Sequence, residues 1–238
     1  MKIDNVVRSI VNPQPTGRKP AELSISESLK TQENALAQGS ENLQDAISLG
    51  QTAEGTLESV ESNLQEIRSL AVQAQNDTYS DSDKAVIQDQ IGQLLTGIED
   101  SLKNSEFNTI KLFDGGFEGN IQGGNQGQVM TIDNTSLETL GLDNFDITQG
   151  STLEELDGAI ETVSGTRGDI GSQMRGFESA INSNDIAREN TLSARSRFDE
   201  DFAKQVSELK RLQITQQYKF QLQKKEEEAD RSKLNLLT

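Results

Sequence analysis

Apolar residues return every seven positions through the first third of the chain. Leu29, Leu36, Leu43, Gly50, Leu57, Leu64 and Ala71 form one row. Ile25, Gln32, Gly39, Ala46, Ala53, Val60, Ile67 and Ala74 form a second, interleaved with it. Two rows at this offset are the a and d positions of a coiled-coil-like helix running from about Glu22 to about Asn76. Its small members, Gly39, Ala46, Gly50 and Ala53, predict close approach of a partner helix at some cost in helix propensity. "NDTYSDSD" (Asn76 to Asp83) reads as a turn, with Asp81 and Ser82 as N-cap candidates for a second helix. That helix carries Ile87, Ile91, Leu94, Leu95, Ile98 and Leu102 at helical spacing.

From Leu153 to about Leu222 the helical period returns. Leu156, Ile160, Val163, Ile170, Met174, Phe177 and Ile181 form a stripe, and Leu192, Phe198, Phe202, Val206 and Leu209 extend it. Gly165, Gly168 and Gly171 fall inside the pattern and mark close contacts or a flexible joint. Residues 107–150 break the helical period. Gly and Asn dominate there, and "GQVMTID" alternates as a half-buried strand does, so one or two β-hairpins are expected. At the N-terminus Pro13, Pro15 and Pro20 forbid a helix through residues 12–19.

The pattern thus predicts a mainly α chain: an elongated antiparallel helical bundle or coiled-coil rod with a small β-hairpin region. Its expected parts are a proline-broken basic leader (1–21), N-terminal rod helices (22–106), a hairpin region (107–150), a C-terminal rod helix (151–212) and a charged tail helix (213–238).

Composition narrows the functional classes. Only 32% of the 238 residues are hydrophobic and 4% aromatic, which suits helices that each bury one narrow stripe. The net charge of −17 argues against nucleic acid and anionic lipid as partners. No apolar run approaches the roughly 18 residues of a membrane span, and the N-terminus lacks an apolar signal segment. Cys and His are both absent, so disulfides, thiol nucleophiles, imidazole bases and zinc sites on those ligands are excluded. Asp77, Asp81 and Asp83 have the spacing of calcium ligands, but the required Gly and terminal Glu are missing. "GGNQGQ" is not followed by the Lys-Ser/Thr of a phosphate loop. The expectation is a structural protein without catalytic activity, cofactor or metal.

Four segments carry a family likeness. Leu43 to Ile91 ("LQDAISLGQTAEGTLESVESNLQEIRSLAVQAQNDTYSDSDKAVIQDQI") closely resembles the N-terminal region of bacterial flagellins. "SEFNTIKLFDG" (Ser105 to Gly115) is similar to the segment leaving the third helix in that family. "NIQGGNQGQVMTIDNTSLETLGLDNFDI" resembles its short hairpin region, and "ARSRFDEDFAKQVSELKRLQITQQ" (Ala194 to Gln217) resembles the opening of its C-terminal region. In family order these cover most of the chain from about Ala21 to Gln217.

The resemblance implies a structural subunit of the bacterial flagellar filament, without the variable outer domains that many flagellins carry. It implies other flagellin-like subunits, a flagellar export chaperone and the export apparatus as partners, and an extracellular location reached without a cleaved signal peptide. It also points to Arg68, Leu70, Gln73, Gln88 and Asn108 as subunit-interface candidates. The animal innate receptor for flagellin reads the same patch in many relatives. There the family pattern has a basic residue and an acidic residue where this chain has Glu66 and Gln90.

Two departures stand out. The proline segment occupies the place of an amphipathic terminal helix, and Tyr218 to Asp230 carries Lys219, Lys224, Lys225, Glu226, Glu227, Glu228 and Asp230 where relatives are small and apolar. Unpaired charges are costly to bury in a tube wall. A non-polymerising accessory, cap or junction protein, or a cytoplasmic decoy for flagellin chaperones, therefore stands beside the filament reading.

Overall fold

The computed structural model describes residues 20–235, with side chains placed at 23–226 and 228. Of the expected leader, residues 1–19 lie outside the described residues. The elements are α1 (Pro20–Ala74), α2 (Asp81–Asn104), β1 (Glu106–Phe107), β2 (Ile110–Lys111), β3 (Phe117–Gln122), β4 (Gly127–Ile132) and α3 (Leu153–Asn235). Pro20 is the first residue of α1, where a missing N–H leaves no helical hydrogen bond unmade. The described residues divide into two compact units: residues 35–187, and residues 20–34 with 188–235.

Within 35–187, the heptad seam is the core. Every a and d position from Leu36 to Ala74 is buried. α1 and α3 run antiparallel, since Ser40 meets Asn184, Glu54 and Glu61 meet Arg167, and Arg68 meets Asp157. α2 adds Ile87, Ile91, Leu95, Ile98 and Leu102 to the same core.

On α3 the buried row keeps strict seven-residue spacing: Leu156, Val163, Ile170 and Phe177, then Asn184. The stripe expected from hydrophobicity packs on the core along its first seven members. Ile160, Met174 and Ile181 are only half-buried and flank the row. The glycines of α3 differ from expectation. A methyl group on Gly165 or Gly168 would meet nothing within 4 Å, and the helix passes through both without a break.

Two antiparallel hairpins follow α2. β1 and β2 join through Asn108 and Thr109, both with positive φ (49° and 68°), as a two-residue turn between right-twisted strands demands. β3 and β4 pair from Phe117↔Ile132 to Gln122↔Gly127. β4 buries Met130 and Ile132 and exposes the residues between, the alternation read from sequence. The tip of this hairpin lies on Gly39. A Cβ there would sit 2.1 Å from the backbone nitrogen of Gly124, so the neighbour that Gly39 admits is the hairpin rather than a helix. Gly50 fits the helix expectation better, because Met174 Sδ lies 2.9 Å from the place a Cβ would take.

Polar ties close the ends. Ser80, not Asp81 or Ser82, caps α2. Its Oγ accepts from Asp83 N–H at 3.3 Å, and Asp83 Oδ2 accepts from Ser80 N–H at 3.0 Å, a reciprocal capping box. Before α3, Asp146 accepts from Thr148 N–H (2.7 Å) and Oγ1–H (2.6 Å) and from Gln149 Nε2 (2.9 Å). Ser80 Oγ–H, donating to Asp83 Oδ2 at 2.7 Å, and the Thr148 hydroxyl, donating to Asp146, are the main causes that hold both carboxyls below the ordinary value near 3.8. Asp157 is lowered as well, chiefly by the hydrogen bond from Arg68.

In the other unit, Ser26 and Thr191 are buried, and Arg195 Nη1 donates to Glu33 Oε2 at 2.9 Å. Ile25 is 49% exposed and Leu29 half-buried. No described residue of α3 beyond Thr191 is fully buried. Phe198, Phe202 and Val206 are half-buried, and Leu192 and Leu209 are exposed.

Two outcomes follow. Gly39→Ala must push the hairpin off α1 and lower stability by about 1–3 kcal/mol in urea unfolding. Gly55→Ala, on a helix face with nothing within 4 Å, raises it by roughly 0.5–1 kcal/mol. The three depressed carboxyls stabilise the fold above their unfolded pKa near 3.8, and this contribution is lost as pH falls through their lower folded values. The unfolding temperature therefore drops on acidification below about pH 4, and Asp146→Asn flattens that drop; a slope identical to the parent's counts against the assignment.

Candidate subunit interface

The last three turns of α1 and the second turn of α2 carry most of the sequence-derived interface candidates. Arg68 Nε donates to Asp157 Oδ1 at 2.5 Å and Nη2 to Oδ2 at 3.3 Å, a two-point contact from α1 to α3. The pair remains accessible, at 44% and 52% side-chain exposure, so it adds little to stability and keeps a charged face toward solvent. Leu70 is half-buried and packs on the core. Gln73 Nε2 donates to Tyr79 Oη at 2.9 Å across the α1–α2 turn.

Gln88 is half-buried and uses both ends of its amide. Nε2 donates to Phe145 C=O (3.2 Å) and Oε1 accepts from Ile147 N–H (2.9 Å), so it clamps the loop before α3. Asn108 is exposed at the tip of the β1–β2 turn. Glu66 and Gln90 are both exposed on their helices. The structure therefore leaves Arg68, Gln73 and Asn108 open to solvent and engages Leu70 and Gln88 more deeply.

Several polar residues that the hydrophobic pattern does not single out hold the framework. Arg167 bridges two carboxylates of α1, with Nε–Glu54 Oε1 at 2.9 Å and Nη1 on Glu61. These hydrogen bonds, Glu61's first, raise its pKa further. Glu54 Oε2 is buried without a hydrogen-bond partner, so removing Arg167 would strand two carboxylates. Gln173 pairs with the edge of β4, accepting from Thr131 N–H at 2.7 Å and donating to its C=O at 3.0 Å. Asn184, only 8% exposed, donates to Gly123 C=O at 2.9 Å. Continuing the row Leu156, Val163, Ile170, Phe177 by seven identifies Asn184 without any structure.

The concave surfaces are shallow. An acidic one, about 330 Å³, is lined by Glu99, Asp114, Glu138 and Asp143 with Lys103 and a floor including Phe113. Among the described residues no group of three or more His, Cys, Asp or Glu could hold a metal ion, and no helix is long and apolar enough to cross a membrane.

Comparison with known proteins agrees with this architecture at both ends of the chain. Residues 16–118 match the bacterial flagellin N-terminal helical region and residues 153–237 the bacterial flagellin C-terminal helical region. The chain is 37% identical over 213 residues to a flagellin of Halalkalibacterium halodurans, covering 84% of this chain and 78% of that protein. It is 39% identical over 156 residues to a flagellin of Clostridium tyrobutyricum, covering 66% of this chain but 41% of that one. Among solved structures, Bacillus cereus flagellin superposes with a TM-score of 0.53 at 26% identity, covering 60% of this chain and 88% of that chain. A putative flagellar hook-associated protein from Vibrio parahaemolyticus shares the fold at TM-score 0.52 and 14% identity, covering 79% and 98%. With both helical regions matched in order around the hairpins, and most of a relative's length spanned, the chain belongs to the bacterial flagellin family.

Proposed function

We propose that this chain is a structural subunit of the bacterial flagellar filament. The observation that supports it most is the matched pair of flagellin regions, joined here as antiparallel helices around one seam. A filament is a helical lattice of heterologous contacts, each repeated many times, so modest individual contacts suffice. In this reading the patch of Arg68, Leu70, Gln73, Gln88 and Asn108 meets the next subunit. Arg68, Gln73 and Asn108 touch it directly, Leu70 seats α1, and Gln88 holds the 145–147 loop in place.

The subunit reaches the cell exterior through the flagellar export apparatus, handed over by an export chaperone. Two features support this. The chain has no cysteine to cross-link in an oxidising exterior. The far part of α3 presents Leu212, Ile214, Tyr218, Phe220 and Leu222, all exposed, on a helix that needs a protein partner.

Electron microscopy of the purified chain, alone and with a longer flagellin, tests the assignment. Filaments containing this chain are expected. A chain that joins filaments only at their ends, or not at all, favours a cap, junction or decoy role instead. The same reading bears on host recognition. Glu66, where receptor-binding relatives place a basic residue, repels an acidic partner, and Gln90 offers no charge. Purified protein should activate a flagellin-receptor reporter cell at least about tenfold more weakly than a receptor-active flagellin, and a full response would refute the patch assignment.

A further inference from the structure

Charge is unevenly spread along this chain. Residues 35–187 hold 26 Asp and Glu against six Lys and Arg, a net charge of −20, whereas the whole chain carries −17. Four of those six bases, Arg68, Lys103, Lys111 and Arg167, are already paired with carboxylates of the same unit. Two copies of such a body repel one another over roughly the Debye length, about 8 Å at physiological salt. A contact that recedes from charge on both sides avoids this repulsion.

One concave surface of this unit meets that condition. The groove between the β3–β4 tip and α3, about 420 Å³, has no charged residue in its lining. Asn125, Gln126 and Gln128 form one wall and Ser179 and Ser183 the other, with Leu36 among the apolar lining. The stretch from Gly119 to Ile132 that supplies the first wall carries no charge at all. The acidic cavity beside Phe113, with four carboxylates and one lysine, is the opposite case.

The groove is also preformed. Asn184 donates to Gly123 C=O at 2.9 Å, Asn42 Nδ2 to Gln122 C=O at 2.9 Å, and Gly123 N–H to Gln126 C=O at 3.0 Å. Gly124 adopts φ +90°, and Gly39 leaves the tip no lateral room. A surface fixed from both helices loses little entropy on binding. Its amides and hydroxyls offer donors and acceptors that a like-charged partner can meet without approaching a carboxylate.

We propose that this groove is a contact site for a second copy of the chain, and that salt strengthens the association. The proposal rests on the filament reading. Its test uses the full chain with Ser179→Glu, Ser183→Glu and, as control, Ser172→Glu, an exposed α3 position outside the groove. Each variant is first checked by circular dichroism and thermal unfolding, then titrated for assembly by sedimentation. The groove variants should raise the critical concentration by about tenfold and the control by less than about twofold. Added NaCl should lower that of the parent.

Equal shifts in all three variants, or normal assembly of the groove variants, would overturn the groove assignment while leaving the filament reading intact. A parent chain that never assembles, alone or on seeds of a longer flagellin, overturns the filament reading and the groove with it. Ser183→Cys gives a second readout, because the chain has no other thiol. Its maleimide labelling should slow by about tenfold on assembly, and an unchanged rate counts against the contact.

Discussion

The seam of α1 from Leu36 to Ala74 is the constraint on which the rest of residues 35–187 depends. Its twelve a and d positions are all buried, and they are unusually small for a core: two glycines and four alanines among them. A seam this slight cannot shield itself. It is covered from α3, α2 and the β3–β4 hairpin together, and each covering element is cut to what α1 offers at that level. Leu36 and Leu43 lie against the hairpin tip at Gly124 and Gly123, and the remaining leucine and isoleucine positions share one core with α2 and α3. Gly50 admits Met174 and Met130, and Gly39 admits a bare hairpin backbone. Close packing therefore fixes the position of the hairpin as firmly as any hydrogen bond does.

Where apolar volume runs out, amide side chains take over. At the hairpin tip the helices read the strand backbone through Asn42 and Asn184, and at its base through Gln173. An amide carries a donor and an acceptor on one stiff fork, so it can complete a strand edge that no third strand covers. This also removes part of an edge that would otherwise invite pairing with another chain. Arg167 works similarly between helices. It pairs with two carboxylates that the acidic α1 would otherwise present bare to its own partner.

The helices, the hairpins and the apolar part of the core are legible in the sequence because each rests on a period: 3.5 residues for the seam and 2 for β4. Family resemblance then supplies the order of the parts. What escapes are positions where residue type and location disagree. Asn184 and Thr191 occupy core positions of a heptad but look like surface residues, so a hydrophobicity pattern drops them and promotes Ile181 and Leu192 instead. Ser80 does not stand out as a cap because two further candidates, Asp81 and Ser82, follow it, and only the reciprocal bond to Asp83 distinguishes it. The interface candidates rest on likeness alone. Nothing in a sequence distinguishes Gln73, which keeps one amide contact and faces water, from Gln88, which spends its whole amide on a loop.

The two units differ in how they meet the same demand for burial. Residues 35–187 bury a continuous core and hold a net charge of −20 on the outside, so they have little apolar surface to share and are reluctant to crowd together. The described part of the other unit is nearly the reverse. Its charges almost cancel, and beyond Thr191 its long helix buries nothing fully while exposing Leu212, Ile214, Tyr218 and Phe220. A single helix with apolar residues so exposed gains little from propensity in water and depends on packing for its stability. The charges of Lys219, Lys224, Lys225 and Glu226 limit which packing it accepts, because an apolar partner would strand them.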